Sequence, residues 1–444
     1  MNLANRNSGA EPAKAKGALE LALTARFGRM LEKLGFSARK RGKGGAAQPA
    51  RLIDLAELLL SLKGRASGPS LASAFFDLYE ASDMAARREF LLEVRARFPR
   101  DGQAIAAAIT AWQTSPDEAS AKALHRAAVS QCQKMIRMLN LAPGGIRRLI
   151  HMRADLLAGG KLGRGEAALD ADFEYVFSGW FNAGFLELRR IDWETPAAVL
   201  ERVIRYEAVH SIQGWDDLRR RVEPADRRCY AFFHPQMADD PLIFVEVALT
   251  DMLPAAIDSI IADEREVIDP RSASHAIFYS ISNCQQGLRG IPFGNFLIKQ
   301  VVELLRAELP QLSCFATLSP LAGFARWFAQ QDGAEVSTGD ALRAKAARYL
   351  VTGRGASGAV LDPVARFHLG NGARLEAVHA GADLSANGQR QSHGVMVNYV
   401  YDLAKIESNL LALTELDEVA HSPEVSALVE QAAALRSEVA PKAA

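Results

Sequence analysis

Residues 277–318 read IFYSISNCQQGLRGIPFGNFLIKQVVELLRAELPQLSCFATL. The run 277–282 is apolar and aromatic, broken only by serines, as a buried strand requires. From 294 to 308 the residues Leu297, Ile298, Val301, Val302 and Leu305 fall on one helical stripe, which Pro310 ends. Residues 314–318 (CFATL) are again short and apolar. Strand, glycine-bearing turn, amphipathic helix and strand predict a β-α-β unit. Upstream, 229–234 (CYAFFH) and 242–250 (LIFVEVALT) predict two more strands. Only Glu246 is charged in the second, which is therefore expected to be covered on both faces.

The N-terminal half has a different texture. From about 17 to 180 it is rich in Ala, Leu, Arg and Glu at helical spacing, with Leu52, Leu55, Leu59 and Leu62 on one face. Ser115 is expected to cap a helix, with Pro116 in its first turn and Glu118 reaching back. The basic, glycine-rich segment 39–45 reads as a solvated loop. The cluster 159–165 (GGKLGRG) lacks the spacing of a phosphate loop and reads as a turn between helices.

Composition narrows the options. With 444 residues the chain can bury two cores, and 49% hydrophobic against 23% charged residues is a globular balance. Lys+Arg and Asp+Glu are 52 each, so no net field recruits nucleic acid or a membrane surface. No apolar run approaches the roughly 20 residues of a membrane helix. Cys132, Cys229, Cys284 and Cys314 show no C-x-x-C pair and no metal-ligand spacing with histidine. They read as reduced thiols of a cytoplasmic protein, with an intersubunit disulfide open to any that is exposed. Arg26 and Arg29, in an acid-poor stretch, leave a mitochondrial address as an alternative.

The turn between the predicted strand and helix carries the chemistry. A helix start offers unpaired N–H groups and a favourable dipole to an anion. Gly287, Gly290 and Gly294 would let the backbone approach a pyrophosphate, and Arg289 would add a cation. The layout resembles the pyrophosphate loop of the N-acetyltransferase superfold, matched by Arg289, Pro292 and Gly294. Proline at the middle position removes one N–H donor.

Seven ordered blocks extend the resemblance. They are WFNAGFLELRRIDW (180–193), YEAVH (206–210), RRCYAFFHP (227–235), FYSISNCQQGLRGIPFGNFLIKQVVELL (278–305), FATLSPLAGFARW (315–327), ARFHLGNGARLE (365–376) and MVNYVYDL (396–403). Together they resemble the malonyl-CoA decarboxylase family. The resemblance implies an α+β chain: an N-terminal all-helical domain followed by an N-acetyltransferase-like mixed β-sheet catalytic domain. The expected division is a flexible N-terminus (1–17), a helical oligomerisation domain (18–180) and a catalytic domain (181–440).

The same resemblance implies Ser319, His368 and Tyr401 as catalytic residues. It implies Arg289, Gly290, Ile291, Pro292, Phe293, Gly294 and Asn295 as the turn that binds malonyl-CoA. No metal and no cofactor are expected, and the partners are malonyl-CoA and further copies of the chain, a tetramer being one option. Some family members carry a glutamate where this chain has Pro292, and an Asn-Trp pair where it has His379-Ala380. Tyr399 stands two residues before Tyr401, and either could be a core aromatic. His210 and His234 read as structural and His393 as solvated.

Loss of CO2 from a malonyl thioester leaves a carbanion beside a carbonyl that is already an electron sink, so an organic cofactor is not obligatory. The expectation is that Ser319 orients His368 or the malonyl group, His368 protonates C2, and Tyr401 donates to the enolate or carboxylate. Two alternatives stay open: an acyl-CoA-dependent acyltransferase and a non-catalytic regulator that binds CoA esters.

Overall fold

A computed structural model describes residues 48–61, 64–182, 184–331, 339–356 and 358–439. The segments 1–17 and 39–45, Arg26, Arg29 and Leu62 lie outside the described residues. The chain divides into two compact units between Val176 and Phe177.

The first unit is helical among its described residues: α1 (Gln48–Leu60), α2 (Gly64–Ala81), α3 (Met84–Arg97), α4 (Gly102–Thr114), α5 (Glu118–Ala128), α6 (Gln131–Leu139), α7 (Gly145–Leu157) and α8 (Arg164–Trp180), whose last four residues fall past the division. Leu52, Leu55 and Leu59 bury the stripe expected of α1. Phe75, Phe76, Tyr79 and Phe90 form an aromatic core, mostly edge to face. Arg153 is buried, and its charge is met by Asp170 at 2.7 Å and Glu174 at 3.1 Å. The cap expected at Ser115 belongs to Asp117 instead. Its carboxylate takes the Ser120 N–H at 2.8 Å, and Ser120 Oγ takes the Asp117 N–H at 3.1 Å. Ser115 ends the preceding helix, because its own N–H bonds back to Ala111. Residues 159–163 of the glycine-rich cluster form the expected turn between α7 and α8, while Arg164 and Gly165 already open α8.

The second unit is built on one mixed sheet. Its strands are β1 (Glu187–Ile191), β2 (Arg227–Phe233), β3 (Ile243–Thr250), β4 (His275–Asn283), β5 (Cys314–Thr317), β6 (Ser319–Pro320), β7 (Arg374–His379) and β8 (Met396–Val400). They lie in the order β1-β2-β3-β4-β5-β8-β6, with β7 also paired to β8, and only β4 and β5 run parallel. The predicted β-α-β unit is β4, α12 (Asn295–Glu308) and β5. Between β1 and β2 come α9 (Ala197–Tyr206) and α10 (Trp215–Val222). Val199, Leu200, Val203, Leu218 and Val222 of these helices pack on Cys229, Ala231, Phe233 and Phe244. A second apolar cluster joins Ile277, Tyr279, Ala316, Leu318 and Met396 to Ile257 and Ile260 beside α11 (Asp258–Ile261). No described helix is long and apolar enough to cross a membrane.

The parallel pair parts early. β4 and β5 stay in register from His275 and Cys314 to Phe278 and Thr317, and the Leu318 N–H still reaches the Phe278 carbonyl at 3.2 Å. Beyond that point β4 continues to Asn283, while Ser319 crosses to lie against Val397 of β8. A bulge opposite Glu246 and Val247 bends β4 at the same level. The sheet is therefore forked, with β4 as one arm and β6 with β8 as the other.

Candidate active site

The fork brings three sequence-selected side chains together. Ser319 sits at the crossing point. His368 lies near the end of α15 (Pro363–Leu369), after α13 (Phe324–Phe328) and α14 (Asp340–Thr352). Tyr401 follows β8, its N–H held by the Phe315 carbonyl at 2.8 Å. Ser319 Oγ is 3.2 Å from His368 Nε2, and His368 Nδ1 is 2.8 Å from Tyr401 Oη. Ser319 Oγ also donates to Thr317 Oγ1 at 2.9 Å.

All three residues are buried, His368 to 2% exposure. Burial pushes the His368 imidazole down to about 3 and the Tyr401 phenol upward, so both are neutral at working pH. Ser319 Oγ gives its proton to Thr317 and so accepts from an Nε2–H, which leaves Nδ1 of the neutral ring to accept from the Tyr401 hydroxyl. The chain of donors then runs Tyr401, His368, Ser319, Thr317.

Sequence reasoning missed the supports of this chain. Asp362 caps α15, its Oδ1 taking the Val364 and Ala365 N–H groups at 2.9 and 3.0 Å. Its Oδ2 takes the Gly323 N–H at 3.0 Å and the Tyr349 hydroxyl at 3.2 Å, which fixes the helix that carries His368. Tyr399 stacks on the His368 ring at 4.7 Å, so of the two tyrosines one packs and the other bonds. Asn398 donates to the Thr317 carbonyl at 2.9 Å, and His379 meets Asn398 Oδ1 at 2.6 Å. A side chain two positions along a strand from its partner's neighbour leaves no linear pattern, which is why motif reading passes over Thr317 and Asn398.

The turn after β4 is anchored from within. Ile291 and Phe293 are buried, while Arg289, Gly290 and Pro292 are exposed. Gly290 has φ of 85°, a backbone conformation that glycine adopts without strain. The Ile291 N–H is bonded to Leu288 and the Phe293 N–H to Ile291, each at 3.0 Å. Those donors are spent inside the turn, whereas among the described residues no backbone partner is seen for the Gly290 and Gly294 N–H groups or for those of Asn295 and Phe296 at the start of α12. This narrows the expected cradle. Gly294 opens α12 against α15: a Cβ there would lie 3.6 Å from Phe367, the neighbour of His368. The Asn295 backbone begins α12, and its side chain is outside the described residues.

The remaining histidines divide. His234 is buried and accepts the Gln236 N–H through Nδ1 at 3.1 Å. His393, expected to be solvated, instead ends α16 (Ala386–Ser392) at φ 53° with its ring against Phe324 and Phe328. The helix cap turns it inward. Cys132, Cys229 and Cys284 are buried free thiols, and Cys314 is half-buried.

A helical unit followed by a mixed-sheet unit that carries a glycine turn and a hydrogen-bonded Ser-His-Tyr chain defines an α+β protein with a candidate active site. Comparison with known proteins narrows this further. Residues 98–181 match the model of the malonyl-CoA decarboxylase N-terminal domain, and residues 184–339 and 332–439 that of the C-terminal domain. The chain is 34% identical over 348 residues to the mitochondrial malonyl-CoA decarboxylase of Anser anser anser, covering 67% of this chain and 69% of that one. Crystal structures of malonyl-CoA decarboxylase from Agrobacterium vitis and Rhodopseudomonas palustris are each 46% identical to it. The first has a TM-score of 0.79 over 85% of this chain and 99% of that chain; the second has 0.78 over 85% and 98%. This chain belongs to the malonyl-CoA decarboxylase family, and it is a decarboxylase.

Proposed function

We propose that the enzyme converts malonyl-CoA to acetyl-CoA and CO2 without a cofactor, with proton delivery through Tyr401, His368 and Ser319. The observation that carries this reading is the continuous hydrogen-bonded chain from Tyr401 Oη through both imidazole nitrogens to Ser319 Oγ. The C–C bond to the carboxylate breaks, CO2 leaves, and the electron pair moves into the thioester carbonyl. The resulting enolate then takes a proton at C2. His368, neutral in its buried setting, gives up the Nε2 proton to C2 directly or through Ser319. Tyr401 passes its proton to Nδ1 as Nε2 loses its own; solvent then returns one proton to Nε2 by way of Ser319 while Nδ1 gives its proton back to Tyr401, which restores the starting tautomer. One proton is consumed per turnover, which balances the loss of CO2 from the malonate carboxylate.

Residues 289–295 hold the pyrophosphate in this reading. The exposed Arg289 and the N–H groups of Gly290, Gly294 and the first turn of α12 support that role, as does the nearness of Gly294 to Phe367, the neighbour of His368. The helical unit serves self-association, a reading supported by the exposed Ile109 and Trp112 on α4. A cytoplasmic location fits three buried free thiols; cell fractionation that finds the protein elsewhere would refute it.

The test is to incubate chelator-treated protein with malonyl-CoA and follow acetyl-CoA and CO2. Equal amounts of both, at a rate unaffected by the chelator, are expected. Product formation that requires an added metal or cofactor would end the cofactor-free part of the reading. Acyl transfer to an amine without CO2 release would end the whole.

A further inference from the structure

Two hydrogen bonds flank the His368 ring, at 3.2 Å to Ser319 Oγ and at 2.8 Å to Tyr401 Oη. Taken by themselves they fit either neutral tautomer. With its proton on Nε2 the ring donates to Ser319 and accepts from Tyr401; with the proton on Nδ1 both directions reverse. Only the first form has a proton on the nitrogen that faces Ser319. The choice is therefore made outside these three residues, by the group that fixes the direction of the Ser319 hydroxyl.

That group is Thr317. Ser319 Oγ donates to Thr317 Oγ1 at 2.9 Å, and the Tyr399 N–H reaches the same oxygen at 3.3 Å. A hydroxyl oxygen has two acceptor positions, and here both are taken. The threonine is itself firmly placed. It is buried, its carbonyl accepts from Asn398 Nδ2 at 2.9 Å, and it is the last β5 residue paired with β4, opposite Phe278. Its branched side chain has little rotational freedom in a strand. Tyr399, whose N–H shares the Thr317 oxygen, stacks its ring on His368 at 4.7 Å and 25°. One threonine thus meets the hydroxyl at the edge of the imidazole and the backbone of the residue stacked on its face.

We propose that Thr317 is a positioning residue: by accepting the Ser319 proton it turns a Ser319 lone pair toward His368 Nε2 and keeps the ring in the tautomer that can protonate C2. The inference rests on the decarboxylase reading above. It adds what holds the proton at Nε2 before substrate arrives and what favours its return there after each turnover. Without the threonine oxygen, the Ser319 hydroxyl donates to Nε2 instead. The ring then carries its proton on Nδ1, toward Tyr401, and has none to give at Nε2.

The full-length protein and its variants test this with saturating malonyl-CoA. Thr317→Val keeps the branched shape and removes the acceptor, whereas Thr317→Ser keeps the acceptor. One hydrogen bond of this kind biases an equilibrium by about tenfold, so kcat of Thr317→Val should fall about tenfold with KM changed by less than about threefold. Thr317→Ser should stay within about threefold of the parent. In a Ser319→Ala background the valine substitution should change kcat by less than about twofold, because the hydroxyl through which it acts is gone. With isotopically labelled histidine, the nitrogen NMR signals of His368, identified by their loss in His368→Ala, should report Nε2–H in the parent and a gain of Nδ1–H in Thr317→Val. A Thr317→Val kcat within about twofold of the parent, an equal loss with and without Ser319, or a ring that keeps its Nε2 proton in the variant would overturn the proposal. Where Thr317→Val does not fold, Thr317→Ala is read by the same criteria. CO2 release by the parent alongside a failed prediction removes only Thr317 from its role; no release by the parent removes the decarboxylase reading and this inference with it.

Discussion

His368 and Glu246 are both buried, and burial moves their titrations in opposite directions. The imidazole is pushed down to about 3; the Glu246 carboxyl is pushed up to about 8 by burial and then by the charge of Glu207. A histidine kept neutral by the fold contributes stability above the ordinary histidine pKa, and this is lost as pH falls toward 3. A carboxyl kept protonated by the fold works the other way. Its contribution is full below the ordinary value of 4.5 and is lost as pH rises to about 8. Urea unfolding of Glu246→Gln and the parent between pH 5 and 8 should therefore show the parent losing ground steadily as pH rises. A difference that stays constant across that window would refute the assignment. At this scale the motifs made Ser319, His368 and Tyr401 legible. Thr317, Asp362 and Tyr399 were not, because their roles exist only once three separate segments meet. His393 misled for a related reason, since a polar, glycine-flanked residue can still cap a helix with its ring turned inward.

Among the elements, β4, α12 and β5 were readable because long apolar runs flank a glycine turn and a proline marks the helix end. β1, with sequence ELRRI, was not, since an edge strand open to solvent on one side need not alternate visibly. β7 and β8 were quoted as motifs without being recognised as strands, because each is short and its burial comes from partners distant in sequence. The shift of the cap from Ser115 to Asp117 is a boundary effect within one turn. More consequential is the pair α4 and α5. α4 buries only Ala108, and α5 buries no residue, yet Ile109 and Trp112 are exposed at 41% and 39%. Two helices with so little burial depend on another surface for stability. Light scattering of the variant Ile109→Asp/Trp112→Ser should give a lower mass than the parent at equal concentration, with CO2 release per chain retained. Equal masses would remove α4 from the self-association surface.

At the scale of the whole molecule, composition established a neutral, two-unit globular chain but carried no chemistry. The change of texture near residue 180 separated the helical half from the sheet-bearing half, whereas the strand order could not be read. Which arm of the fork each segment joins depends on pairings between residues far apart in sequence, such as Ser319 with Val397. The fork itself explains why the site lies where it does: Ser319 sits where the chain leaves β4 and β5 for β8, and α15, capped by Asp362, brings His368 to it. The central claim is that His368 delivers the proton to C2, and the direct measurement is the rate of acetyl-CoA formation by folded His368→Ala at saturating malonyl-CoA. A fall of about 10²–10⁴-fold, with binding of malonyl-CoA retained, is the predicted result. A variant that turns over within a few-fold of the parent would contradict it.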